Sequence, residues 1–285
     1  MSEGLRDQTG KIILITGANT GIGRATAEAL AARGAHVVLA CRNAEKTQAV
    51  LDTIRAAGGS AEFLQLALDD LEAVKGSAER FLATGSALHV LINNAGLAGK
   101  QGLTKDGFEL AFGTNHVGHY LLTRLLLPRL RESAPARIVN VSSKSHYQAK
   151  GIDWEAVRKK TASVTGMPEY ERSKLANVLF TRQLARGEAG PGVHSYALHP
   201  GVIASDAWRE VPAPARFLLK LFLKSVEQGA LTTLHCATAP EAAVENGLYY
   251  DECKVRRPSR AAQDDELAKE LWERSERWVE GYLKS

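Results

Sequence analysis

A doubly wound α/β sheet is the fold class this sequence predicts: about seven parallel strands, flanked by helices, in a single domain. Three observations carry the prediction. Short apolar runs rich in β-branched residues alternate with stretches of helical periodicity, the signature of βαβ units and a sheet covered on both faces. A glycine cluster lies directly between the first such strand and its helix. No linker, internal repeat or low-complexity tract divides the 285 residues, which are enough for one large core.

"KIILIT" reads as the first buried strand, and "GIGRATAEALAARG" as a helix that stops at Gly34. "HVVLA" is the second strand, and "AEKTQAVLDTIRAAGG" the second helix, closed by a glycine pair. "EFLQLAL", "HVLINNA", "ARIVNVSS" and "VHSYALHP" are further strands. Between them lie the helical stretches "NHVGHYLLTRLLLPRLRE" and "SKLANVLFTRQLARG". The C-terminal helix is expected over 261–283, with Leu267, Leu271 and Trp278 near one face. "KVRRPSR" reads as a solvated turn.

Composition excludes several classes. The net charge is only +4, from 36 basic and 32 acidic residues, so no nucleic-acid footprint is present. Three scattered cysteines suit a reducing compartment, and no spacing suggests a disulfide frame or a metal site. The N-terminal stretch is polar and no run approaches the ~18 apolar residues of a membrane span, so a cytoplasmic protein is expected.

Sheets of this kind bind ligands at the carboxyl ends of their strands. The first strand ends in "TGANTGIG", with Gly17, Gly21 and Gly23 spaced G-x-x-x-G-x-G. Such a loop turns sharply and lets backbone approach a ligand, and the following helix N-terminus suits a diphosphate. Asn19, Thr20 and Ile22 lie within the same loop. No Lys-Ser/Thr follows the last glycine, so this is not a P-loop. The second strand ends in "VVLACRN", without the acid that holds ribose hydroxyls in a dinucleotide fold. Arg42 and Asn43 stand there instead. A guanidinium suits a 2′-phosphate and favours NADP over NAD; the other reading is a solvent-facing arginine.

These motifs, with "NNAG" (Asn93 to Gly96), "TNHVGH" (Thr114 to His119), "VNVSS" (Val139 to Ser143), "YERSK" (Tyr170 to Lys174) and "HPGVIAS" (His199 to Ser205), resemble the short-chain dehydrogenase/reductase family along nearly the whole chain. "ACRN", "NHVGHYLLT", "SKLANVLF", "LHPGV" and "YYDECKVRRPS" resemble its retinol dehydrogenase branch. The resemblance implies a Rossmann-like domain carrying an NADP(H)-dependent alcohol/carbonyl oxidoreductase. It implies that the glycine loop meets the diphosphate, and that Asn94, Ala95 and Gly96 line the adenosine side. It places Pro200, Gly201 and Ile203 beside the nicotinamide, with Ser205 where relatives often carry Thr. Relatives usually end the third strand with an Asp that reads the adenine; Ala67 stands there, leaving the backbone N–H of Leu68.

Hydride transfer to a carbonyl builds charge on its oxygen, which needs a proton donor, and the reverse reaction needs a base. Tyr170 and Lys174, at i and i+4, share a helix face. An ammonium there is expected to lower the phenol pKa. Composition alone yields about 0.4 Tyr-x-x-x-Lys pairs, so the pair acquires meaning from its companions. Ser143 ends the fifth strand and can donate to the substrate oxygen. Ser142 faces the other way by strand alternation, and the family pattern selects Ser143. Asn115 is locally unfavourable in a helix; the resemblance implies that it leaves the helical pattern and holds a water near the lysine. His116, His119, His146 and His199 read as packing or surface residues.

"PAPARFLLKLFLKSVEQGA" carries a basic stripe (Arg216, Lys220, Lys224) on an apolar helix. A substrate lid over 206–226, a membrane-surface contact through 212–224, and a core or dimer-interface helix all fit. The resemblance implies a homo-oligomer. The expected activity interconverts a lipophilic alcohol, such as retinol, and its aldehyde or ketone; the other class considered is a catalytically silent NADPH sensor or scaffold.

Overall fold

The computed structural model describes residues 6–201 and 225–284. Its centre is one eight-stranded sheet in the order β3-β2-β1-β4-β5-β6-β7-β8. The strands are β1 (Ile12–Thr16), β2 (His36–Cys41), β3 (Ser60–Gln65), β4 (Val90–Asn93), β5 (Ala136–Val141), β6 (Val193–His199), β7 (Leu248–Asp251) and β8 (Lys254–Arg256). All pairings are parallel except that of β7 with β8. The doubly wound sheet is therefore as expected, with an added antiparallel edge strand. "KVRRPSR" was expected to be a turn; its first three residues instead form β8. They do stay exposed. The turn itself is Glu252-Cys253, both at positive φ (54° and 58°), the conformation that lets a two-residue hairpin follow sheet twist.

Helices are α1 (Gly21–Ala31), α2 (Ala44–Ala56), α3 (Leu71–Ala83), α4 (Leu110–Phe112), α5 (Gly118–Glu132), α6 (Met167–Gln183), α7 (Val226–Thr238) and α8 (Asp265–Leu283). Strand alternation sends Ile13 and Ile15 to one face of the sheet and Leu14 to the other. The first face packs against α1, α2 and α7, the second against α3, α5, α6 and α8. Side-chain caps stop α2 (Asn43), α3 (Asp70), α7 (Ser225) and α8 (Asp264) at their N-termini.

The C-terminal helix starts at Asp265, after a short 3₁₀ turn at Ala261–Gln263, rather than at 261. It lays Ala268, Leu271, Trp272 and Val279 on the helical layer. Trp272 stacks on Phe180 (centroids 5.9 Å apart) and meets Tyr120 edge-on at 5.1 Å. Glu276 accepts from the Tyr120 hydroxyl at 2.6 Å and pairs with Arg124. Among the described residues no helix is long and apolar enough to cross a membrane. The expected contact over 212–224 lies outside them, as does the lid over 206–226, apart from Ser225 and Val226, which begin α7.

Because Trp272 is only 7% exposed and joins three helices, Trp272→Ala is expected to remove about 3–5 kcal/mol of stability. Urea unfolding checks this: the midpoint should fall with the slope unchanged.

Candidate active site

Sheet order reverses at β1, which lies between β2 and β4, so a crevice opens at the carboxyl ends of these strands. The predicted residues converge there. The glycine loop follows β1, Asn94 to Gly96 follow β4, Ser143 follows β5, and Pro200 and Gly201 follow β6. Ile203 and Ser205 lie outside the described residues.

The loop has the shape of an anion cradle. A side chain at Gly23 would stand 2.4 Å from the Gly17 carbonyl oxygen and 2.5 Å from Asn94 Nδ2, so only glycine lets α1 press this close. A Cβ at Gly21 would meet nothing within 4 Å, so this turn faces open space. Unlike α2 and α3, α1 has no side-chain cap and no acid in its first turn. Its N–H groups are thus left for a ligand's negative charge. These residues fit a dinucleotide diphosphate, which would lie on the Gly17 to Gly23 loop, with Asn19, Thr20 and Ile22 in the same turn.

Farther along the crevice, Arg42 is three-quarters exposed and stands 3.5 Å from the Asp69 carboxylate, a weak surface pairing that leaves the guanidinium accessible. Asn43 Oδ1 accepts from Lys46 N at 2.8 Å to cap α2, so that oxygen serves the fold. Ala67 is followed by Leu68, which is buried. Neither neighbouring acid replaces the absent Asp. Asp69 faces Arg42, and Asp70 caps α3 while pairing with Lys105 at 2.7 Å.

Asn115 sits in a π-helical turn, Gly113–Val117, between α4 and α5. It does leave the α-helical pattern. Its Oδ1 accepts from Leu97 N at 2.9 Å, and its Nδ2 donates to Leu97 O (3.0 Å) and Ser173 Oγ (2.9 Å). Side-chain anchoring of this kind fixes the loop after β4 against α6. The Asn115 side chain also crowds Gly96. A Cβ on Gly96 would lie 3.2 Å from Asn115 Oδ1 and 3.3 Å from Lys174 Nζ, so glycine brings that backbone up to the lysine.

Lys174 is 3% exposed, and its Nζ donates to the Val141 carbonyl at 2.9 Å. Burial pulls its pKa down to about 8. Its Nζ lies 5.6 Å from the centre of the Tyr170 ring. The expectation that this ammonium lowers the Tyr170 pKa is not met. Burial pushes the phenol up, and the neighbouring Ser143 hydroxyl pulls it partly back. The phenol of this chain is therefore a proton donor at neutral pH, held beside Ser143. Ser142 faces away, as strand alternation predicts, and its Oγ donates to the Lys174 carbonyl at 2.7 Å.

Two buried carboxylates missed in the sequence fix the segment before Tyr170. Glu169 accepts from Ala162 N (3.2 Å), Ser163 N (3.1 Å) and Ser163 Oγ. Burial works to raise its pKa, but the bonds from Ser163 and the neighbouring backbone N–H groups together outweigh it and hold the group below its ordinary value. Glu109 accepts from Thr161 Oγ1 and Phe112 N. Partners three, six, seven and 52 residues away carry no periodic signal, so spacing could not reveal these roles. Thr16 is a third omission. Its hydroxyl accepts from Asn94 N and Ala95 N, both at 2.9 Å. Its place as the last residue of β1 was the available clue. The four histidines are all buried, at 0%, 2%, 0% and 5% exposure for His116, His119, His146 and His199, which removes the surface alternative.

The chain matches the short chain dehydrogenase family over residues 11–215. It is 45% identical over 273 residues to mouse (Mus musculus) retinol dehydrogenase 12, covering 92% of this chain and 84% of that protein. Human (Homo sapiens) retinol dehydrogenase 11 is 43% identical, with 93% and 84% covered. The human WW domain-containing oxidoreductase is 41% identical over 98% of this chain and 70% of its own length. A solved structure of an uncharacterised protein from Mycobacterium paratuberculosis superposes with a TM-score of 0.79 at 33% identity, covering 98% and 97% of the two chains. A Beutenbergia cavernae structure, a gluconate 5-dehydrogenase candidate with bound NADP, superposes at 0.69 with 25% identity over 86% and 96%.

The buried lysine has a measurable consequence. Lys174 drops from 10.5 in the unfolded chain to about 8, so between these values the native state binds fewer protons than the unfolded one. Stability from this group therefore rises with pH across that window, and below about pH 8 its desolvation costs about 3 kcal/mol. Lys174→Met also loses the bond to Val141 O, worth about 1 kcal/mol. The ligand-free variant is expected to be the more stable by about 2 kcal/mol at pH 7. Thermal unfolding of both proteins from pH 7 to 10.5 should show that advantage shrinking.

Proposed function

The chain belongs to the short-chain dehydrogenase family and is an oxidoreductase of alcohols and carbonyls, and we propose that it uses NADP(H) to interconvert a lipophilic alcohol and its aldehyde or ketone, retinol and retinal being the leading candidates. One juxtaposition carries the reading: the Ser143 hydroxyl lies near enough to pull the Tyr170 phenol pKa down, and the buried Lys174 ammonium stands 5.6 Å from the centre of that ring. A sensor or scaffold has no use for a desolvated lysine against a protonated phenol.

A bound nicotinamide supplies or accepts the hydride. The chain's own residues manage the oxygen. Ser143 Oγ donates to the carbonyl oxygen and steadies its developing charge. Tyr170 gives its proton to that oxygen, and its burial keeps that proton on the phenol until the reaction draws it off. The phenolate left behind is stabilised by the Ser143 hydroxyl, while Lys174, bonded to the Val141 carbonyl, holds α6 against β5. Asn115 holds the Leu97 backbone and the Ser173 side chain, the latter next to the lysine in sequence. In the oxidative direction the same groups work in reverse, Tyr170 as base.

Substrate class is supported by the names of the similar retinol dehydrogenases. Arg42 supports NADP over NAD through its accessible guanidinium. The free cysteines among the described residues support a cytoplasmic location. A homo-oligomer and the one-domain reading of 1–285 complete the proposal.

NADPH oxidation followed by absorbance, with a panel of apolar aldehydes including retinal, tests the reading. Tyr170→Phe should lower turnover by about 10²–10⁴ while NADPH still binds. Tight NADPH binding with no oxidation across the panel would sink the enzyme reading in favour of the sensor. Arg42→Ala should weaken NADPH by about tenfold and leave NADH little changed, in line with ~1.5–3 kcal/mol for a charged hydrogen bond. Equal losses for both cofactors would remove the role given to Arg42.

A further inference from the structure

The reaction just proposed uses no histidine, yet His119 is buried between its two halves. Its Nε2 lies 2.8 Å from Thr16 Oγ1, and its Nδ1 lies 3.0 Å from the backbone oxygen of Asn115. The proton positions follow from counting. A hydroxyl offers two lone pairs and one proton. Thr16 uses both lone pairs to accept from Asn94 N and Ala95 N. Its proton must leave toward an acceptor, and His119 Nε2 at 2.8 Å is far better placed than Ile92 O at 3.5 Å. Nε2 therefore accepts. Nδ1 then carries the ring proton, and the Asn115 carbonyl can only accept it. Burial pulls the His119 pKa down to about 4, the nearby Lys174 charge acts the same way, and only the Asn115 bond opposes them. The ring is neutral, so donor and acceptor ends are fixed.

We propose that His119 is a positioning residue that ties the cofactor-side backbone at Asn94 and Ala95, through the Thr16 hydroxyl, to the π-helical turn carrying Asn115. The idea rests on the reading of Asn115 and Lys174 as reaction machinery. A π-turn displaces carbonyls from the α-helical ladder, and it recurs at functional sites for that reason. Here the carbonyl of Asn115 gains a side-chain donor. Its side chain simultaneously grips Leu97 and Ser173 beside Lys174. A cofactor pressed against residues 94–96 is thereby registered at the lysine through two short, oriented hydrogen bonds. Any buried ring needs a partner at each nitrogen; what is particular here is that the two partners belong to the end of β1 and to the π-turn that carries Asn115.

The tautomer is testable without turnover. Nitrogen NMR of the histidine-labelled wild type should show a neutral Nδ1–H ring, assigned to His119 by its loss in His119→Gln and its displacement in Thr16→Val. That resonance should move when NADPH is added. An Nε2–H ring, an ionised ring at pH 6, or no response to NADPH overturns the proposal. Kinetics give the second arm. His119→Leu should lower kcat about tenfold and raise the NADPH KM, whereas His119→Gln, which keeps one acceptor and one donor, should recover most of both. Equal losses in Leu and Gln variants, or a lower melting point with kcat and KM intact, would leave His119 a packing residue. A wild type that binds NADPH but turns over nothing defeats the enzyme reading alone, and the resonance still decides the role of His119.

Discussion

The site depends on keeping one ammonium out of water. Lys174 has the Val141 carbonyl as its hydrogen-bond partner and almost no exposure. An isolated buried charge is expensive, and the protein tolerates it only where the surroundings are fixed. Every nearby feature serves that condition. Gly96 lacks a side chain so that backbone can come close. Ser142 holds the Lys174 carbonyl, and Asn177 shares the Val141 oxygen at 3.2 Å. The stability lost at the lysine is the counterpart of its electrostatic strength, because the same low dielectric produces both.

A ladder of buried amides and hydroxyls holds the strands beneath that site in place. Asn93 Nδ2 donates to Asn140 Oδ1, Asn140 Nδ2 donates to Thr181 Oγ1, and Thr181 Oγ1 donates to the Asn177 carbonyl. These bonds link β4, β5 and α6, which deliver Gly96, Ser143 and Lys174 respectively. Directional contacts of this sort specify one register where purely apolar packing would permit several. His146 plays a comparable part on the other side. Its Nδ1 donates to the Ser143 carbonyl, and its Nε2 accepts from Ser259 N at 3.1 Å, so the chain ahead of α8 steadies the serine.

Much of the fold was legible. Six strands and the main helices were marked by local periodicity, because each buries a face that recurs every two or 3.6 residues. β7 was not singled out: it has four residues, "LYYD", and polar flanks. β8 was read as a turn because its residues are exposed and basic, and only the neighbouring strand makes it a strand. The glycine loop, Arg42, Ser143, Tyr170, Lys174 and Asn115 were all named from the sequence, and the described chain brings them to one edge of the sheet.

What the sequence determined by itself is the inventory: element types in order, a loop that only glycines can make, and the groups able to donate, accept and carry charge. Tertiary structure decided what each group experiences. It turned the expected effect on Tyr170 around, since burial pushes the phenol up while the lysine bonds the Val141 carbonyl instead. It also gave the supposed packing histidine two defined ends, by bringing together Thr16 and His119, 103 residues apart. Periodicity is local and can be read along a chain. Burial and hydrogen-bond partnership depend on strand order, and a one-dimensional pattern does not contain them.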